Sequence, residues 1–325
     1  MQFPITISTN KLFDAVGFGL NAVDHLIVVP DYPAFDTKTR LLDYKQSAGG
    51  QTASAMVALQ RLGLKTAYAG RFGSDAAGQF GLQTLKAEGV NLDFVEVVEG
   101  ATTQTAFVII DSRTGERTII WNRDDRLAYT PGDAPVELAA RGRVLHLDGH
   151  DPPAGARVAQ AARDKGTIVS ADFDNIYEGL PELLPLIDLL ITSKEFPHRL
   201  TGISDERTSL VELKARYGCA VVGMTMGAAG AMVYCEGQFI ESPAYETPSG
   251  CRDTTGSGDA FRGGFIYGLL SGEDVETSLK LGNAVAALKC TALGARTALP
   301  TKLQLQEFLV SQPLALKFES HSTLK

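Results

Sequence analysis

Runs of β-branched residues and runs with helical spacing take turns along most of this 325-residue chain, and that alternation limits the fold more than any single motif. Strands are predicted at 13–18, 66–69, 144–147, 167–172, 187–192 and 220–226. Helices are predicted at 51–63, 75–89, 155–165, 207–217, 259–270 and 275–293, with Gly63 and Gly89 as C-terminal stops. Elements of these lengths imply an α/β fold in three layers, a mostly parallel central sheet with helices on both faces. In such folds ligands bind at the carboxyl ends of the strands. The length suits one domain of this kind, spanning 1–325.

One region breaks the pattern. Thr105-Ala-Phe-Val-Ile-Ile-Asp111, turn residues at Ser112 to Gly115, and Arg117-Thr-Ile-Ile-Trp-Asn122 read as an antiparallel hairpin. With the extended segment at about 27–47, the stretch 102–126 is expected to form a small β-sheet lid; the alternative is an antiparallel edge of the main sheet. Phe107, Ile109, Ile119 and Trp121 would give that lid an apolar patch suited to a dimer surface. Near the N-terminus, Gly17-x-Gly19-x-x-Ala22 imitates a dinucleotide fingerprint. The fingerprint needs a helix next, and Val23-Asp-His-Leu-Ile-Val-Val-Pro30 reads as a strand, so a dehydrogenase is set aside. Beyond about Leu309 the chain is expected to fray, with 321–325 a disordered tail.

The stretch Asp253-Thr-Thr-Gly-Ser-Gly-Asp259 carries the chemistry. Gly256, Ser257 and Gly258 stand before the apolar positions Ala260, Phe261, Phe265 and Leu269, so they are expected at a helix N-terminus, where free amides and the helix dipole favour an anion. Asp259 would then lie beside the anion, in position to take a proton from a substrate hydroxyl. The plainer alternative is a Gly-rich loop whose aspartate caps the helix. A net charge of −8 argues against nucleic acid as a partner. Cys219, Cys235, Cys251 and Cys290 lack metal-site spacing and read as reduced thiols. No leader and no membrane-length apolar run is seen, so a cytoplasmic protein is expected.

The 253–259 stretch, with small residues three to five positions later, resembles the C-terminal signature of the ribokinase-like (PfkB) carbohydrate kinases. The resemblance extends over nearly the whole chain and is nearest to ketohexokinases and bacterial sulfofructose kinases. It implies the ribokinase-like fold, an ATP-dependent sugar kinase, and Asp259 as base with the amides of Gly256, Ser257 and Gly258 on the transferring phosphoryl. Ala48-Gly49-Gly50, followed by Gly73-Ser-Asp75 and Gly78, resembles the N-terminal signature. It implies acceptor contacts from Asp24, Asp36, Gly49, Gly50, Gln51 and Ser54, the last two departing from the residues many relatives carry. Lys194, Thr225, Gly227, Gly230 and Asn283 fall where relatives hold the nucleotide, and Glu195 is what remains of the magnesium motif, acting through water. Asp253 and Thr255 fall at a potassium site of many relatives. Arg262 replaces a frequent asparagine and reads either as a surface arginine on a helix or as a contact to an acidic acceptor or phosphate. Partners implied are a small sugar and a second copy through the lid, with neither nucleic acid nor membrane; the cofactors implied are ATP, Mg²⁺ and K⁺. The acceptor expected is a ketohexose or related sugar acid. Alternatives are a nucleoside kinase, for which Phe35 and Trp121 are the aromatic candidates, and a non-catalytic sugar-binding protein. No Walker A lysine follows a glycine cluster, which excludes a P-loop enzyme.

Overall fold

A computed structural model describes residues 1–312. In chain order its strands are β1 (Phe13–Phe18), β2 (Ala22–Val29), β3 (Asp43–Gly49), β4 (Thr66–Ala69), β5 (Arg71–Gly73), β6 (Glu96–Val98), β7 (Thr105–Asp111), β8 (Arg117–Asn122), β9 (Gly142–Asp148), β10 (Ile168–Asp172), β11 (Leu189–Ser193), β12 (Val221–Thr225), β13 (Ala231–Cys235) and β14 (Gln238–Ser242). The helices are α1 (Gln51–Arg61), α2 (Ala76–Ala87), α3 (Val136–Ala139), α4 (Pro152–Asp164), α5 (Leu180–Leu183), α6 (Glu195–Thr201), α7 (Glu206–Tyr217), α8 (Ser257–Leu270), α9 (Val275–Lys289) and α10 (Lys302–Ser311). Helix α10 runs two residues past the expected fraying point, and the tail at 321–325 lies outside the described residues. No helix among the described residues is long and apolar enough to cross a membrane.

Eight strands form the central sheet in the order β14-β13-β12-β11-β10-β9-β1-β4. Pairing is parallel from β12 to β4 and antiparallel at β13 and β14. Successive residues of each parallel strand serve opposite faces. Val144, Ile168, Leu189 and Val221 pack toward α1, α8 and α9, while Leu145, Val169, Leu190 and Val222 pack toward α4 and α7. Helices α8 and α9 approach closely because glycine lies on both sides of the contact. A Cβ on Gly264 would fall 2.7 Å from the Leu281 carbonyl oxygen, and one on Gly282 would fall 2.8 Å from the Phe261 ring. Phe261, Phe265, Ile266 and Leu269 anchor α8, each worth roughly 1.5–3 kcal/mol on full burial. That packing fixes the N-terminus of α8 at the carboxyl edge of the sheet.

The hairpin at 105–122 belongs to a separate four-stranded sheet, β3-β2-β7-β8, not to an edge of the large one. Its strand β2 begins at Ala22, before the extended segment expected from Ile27, and residues 30–42 form an exposed loop because their prolines and charges leave no ladder to build. The register sorts its side chains. Asp24 lies across from Ala106 and thence Trp121, Leu26 from Val108 and Ile119, and Val28 from Ile110 and Arg117. This face packs inward, with Leu26, Ala106, Val108 and Ile110 buried against Leu293, and Arg117 donating to the Thr254 hydroxyl. His25, Tyr44, Phe107 and Ile120 turn outward, the His25 ring stacked on both aromatics. The apolar patch expected on one surface is therefore divided, with Phe107 and Ile109 outside and Ile119 and Trp121 inside.

Candidate active site

Gly256 opens α8 in the left-handed region, φ 75°, with a Cβ position only 2.7 Å from Ala295 Cβ, so no other residue fits. Ser257 N–H turns back to the Thr254 carbonyl at 3.1 Å, and Ala260 N–H donates to Gly256 O at 3.0 Å. The amides of Gly256, Gly258 and Asp259 have no partner among the described residues. This corrects the expected trio: the Ser257 amide is engaged in the turn, and Asp259 N–H takes its place. Buried Asp253 braces the loop from below, accepting from Thr255 N at 2.8 Å and from Gly294 N at 2.7 Å.

Asp259 projects from the first turn of α8, half-buried, with no side-chain partner among the described residues. Burial, and then the nearby Asp172 carboxylate, push its carboxyl above the usual range, toward neutral pH. Beneath it Arg262 is 4% exposed, paired with Asp172 at 2.8 Å and donating to the Ile191 carbonyl at 3.0 and 3.2 Å. The expectation that Arg262 faces an acidic acceptor is thus corrected. Its Nε and Nη2 are engaged within the protein, and its Nη1 lies under Gly258.

On the other side of the cleft, Asp24 is buried on β2 against the Gly49 backbone, where a Cβ would come 2.1 Å from its Oδ2. Burial raises its pKa to about 6, against the opposing pull of Arg296. Gly50, φ 93°, caps α1, so its neighbours Gly49 and Gln51 border the same corner. Ser54 does not: it is fully buried and accepts from Arg296 Nε at 3.1 Å, which withdraws it from any acceptor. Arg296 also donates to Gly49 O. Arg296 carries no local signal of this task, because Ser54 and Gly49 lie 242 and 247 positions away. Asp148, at the end of β9, was missed entirely. It accepts from Leu20 N at 2.5 Å and Thr52 Oγ1 at 2.8 Å, pinning α1 to the β1–β2 turn. Burial would raise its pKa, but His150 and these donors hold it well below the carboxylate range. Asp36 lies in the exposed 30–42 loop at φ 58°, apart from the Asp24 corner, and Phe35 beside it is fully exposed.

A cavity of about 430 Å³ reaches the α8 N-terminus from the opposite direction. Thr225, Gly227, Gly230, Asn283, Ser257 and Gly258 line it. Asn283 Nδ2 donates to Ser242 O, Ser242 Oγ and Pro243 O, each at 3.0 Å, which holds the wall rigid. Lys194 is not part of that lining; it is exposed and paired with Glu206 at 3.0 Å. Glu195, the first residue of α6, is exposed at the carboxyl end of β11. No three His, Cys, Asp or Glu side chains among the described residues are grouped to hold a metal ion. Of the expected metal residues, Glu195 presents a solvent-facing carboxylate that could share Mg²⁺ through water.

Free amides with a basic carboxylate between two separate approaches suit one class of reaction, the transfer of a phosphoryl group from a nucleotide to a hydroxyl. The sequence model of the pfkB family of carbohydrate kinases matches residues 15–302, and the chain belongs to that family. It is a sugar or nucleoside kinase, as its relatives are. It is 31% identical to a fructokinase of Klebsiella pneumoniae, over 84% of this chain and 94% of that one. A nucleoside kinase of Methanothermobacter thermautotrophicus is 26% identical, over 88% and 92%. The fold matches that of Arabidopsis thaliana ribokinase, solved with ribose and ATP, at a TM-score of 0.80 and 24% identity, over 91% of this chain and 98% of that one.

Proposed function

We propose that this kinase moves the γ-phosphoryl group of ATP to a primary hydroxyl of a small sugar, a ketohexose before others. The observation that carries the reading is the pairing of Asp24, a buried carboxylate free to accept from sugar hydroxyls, with Asp259, a carboxylate of raised pKa beside unpartnered amides. ATP enters the 430 Å³ cavity with its phosphates toward Gly256 and Gly258. Asp259 takes the proton from the attacking hydroxyl, and the amides of Gly256, Gly258 and Asp259 balance charge on the transferring group. Asp24 and the Gly49–Gly50 backbone orient the acceptor. Mg²⁺, when bound with the nucleotide, neutralises phosphate charge, and Glu195 is the residue that would hold its water shell. With Arg262 turned inward, a sugar-acid acceptor loses the residue on which that option rested.

One observation favours a nucleoside acceptor. Trp121 stands half-exposed on the inward face of the lid, in line with Asp24, and offers a flat surface to a base. A coupled ADP-release assay across ketoses, aldoses, sugar acids and nucleosides decides. Highest kcat/KM on a ketohexose supports the sugar reading, highest on a nucleoside supports the second, and no ADP release with any acceptor despite ATP binding would leave a sugar-binding protein.

A further inference from the structure

The family resemblance implies a monovalent cation beside Asp253 and Thr255, yet the side chains present do not leave room for one. Lys289, the last residue of α9, is 0% exposed, and its Nζ donates to the Asp253 carbonyl at 2.8 Å and lies 3.8 Å from Asp253 Oδ2. A cation in this loop would need those same oxygens and would meet the ammonium charge at close range in a medium that screens poorly. The surrounding loops are closed around the pair. Asp253 Oδ1 and Oδ2 take Thr255 N and Gly294 N, and Arg252 N donates to the Cys290 carbonyl at 2.9 Å.

We infer that the Lys289 ammonium is the cation of this site, a built-in replacement that braces the 253–258 loop and adds positive charge behind its free amides. The inference rests on the kinase reading for its consequence, and on the geometry alone for its existence. A buried carboxylate and a buried ammonium stabilise only as a pair, so removing the ammonium leaves Asp253 uncompensated and loosens the loop that carries Gly256. The chain therefore needs no potassium.

The test compares potassium, sodium and tetramethylammonium chlorides at one ionic strength, reading melting temperature, ATP affinity and turnover. The wild-type protein is expected to give the same values in all three. Lys289→Met is expected to lose roughly tenfold or more in turnover in every salt, the scale of a lost electrostatic contact at a transferring group. Lys289→Ala, which leaves space, should recover part of the loss with potassium and none with tetramethylammonium. A wild-type protein that melts higher or turns over faster in potassium than in tetramethylammonium overturns the inference, as does Lys289→Met with wild-type turnover. Should neither variant fold, the wild-type salt comparison still decides. Melting and ATP affinity need no acceptor, so unchanged values in a protein that phosphorylates nothing would tell against the kinase reading and not against the built-in cation.

Discussion

Arg262 Nη2 and Asp172 Oδ1 meet at 2.8 Å with both side chains 4% exposed, directly beneath the carboxylate proposed as the base. Breaking one member of such a pair leaves a buried charge, which costs about 3–5 kcal/mol. Arg262→Gln is therefore expected to lower stability by that order in urea unfolding. It also removes a positive charge that holds the Asp259 pKa down against burial and Asp172, so that pKa rises further. Since the base works ionised, the acid limb of the pH profile of kcat/KM should move to higher pH. A stable variant that fails only on acidic acceptors would return Arg262 to a substrate contact.

Asp24 gives a second pH signature. Burial puts its pKa at about 6, and only the ionised carboxylate offers every lone pair to sugar hydroxyls. KM for the acceptor should fall as pH rises through about 6 and then level, while KM for ATP stays flat. Asp24→Asn should raise acceptor KM by roughly ten- to a hundredfold, the range for a hydrogen bond to a charged group, and abolish the pH step. Loss of ATP affinity in the same variant would show the acceptor assignment to be wrong.

The fold was legible because its evidence is local. Periodicity and glycine stops located β1 and β4 to the residue and the long helices within a few, since each element carries its own pattern. What failed depended on turn geometry and strand register, or on partners far along the chain. The β13–β14 hairpin turns on Glu236 and Gly237, both at positive φ, and glutamate is not a residue that announces such a turn. The division of Phe107 from Trp121 follows from the β7–β8 register, which a one-residue shift would invert. In the site, the place of Asp259 in the first turn of α8 was readable because its motif is contiguous. Arg262 looked like a surface residue because its partners Asp172 and Ile191 lie 90 and 71 positions away. Arg296, reaching back to Ser54 and Gly49, was hidden for the same reason.

The outer face of the lid should join two copies. Phe107, Ile120 and Tyr44 are 47%, 56% and 52% exposed on one side of a small sheet, an apolar surface that a partner lid would cover. Sedimentation at micromolar concentration is expected to give a dimer, and Phe107→Lys with Ile120→Lys a monomer with its melting transition intact. A wild-type monomer under those conditions would refute the association.

Asp259→Asn should lower kcat by roughly two to four orders of magnitude, the range for losing a general base. The amide keeps the shape of the side chain but cannot take a proton from the attacking hydroxyl. Folding should survive for two reasons. Gly256, not Asp259, caps α8, so no helix-capping bond is lost. The negative charge removed from the first turn, worth about 0.3–1 kcal/mol to a helix, is offset because the same change relieves repulsion from Asp172. ATP should bind nearly as well, since the Gly256, Gly258 and residue-259 amides belong to the backbone. The variant should also lose the acid limb of the pH profile, because the group that titrates there is gone. Near wild-type turnover in a folded Asp259→Asn protein, free of contaminating wild-type enzyme, would remove Asp259 from the mechanism and leave Asp172 as the carboxylate to examine next.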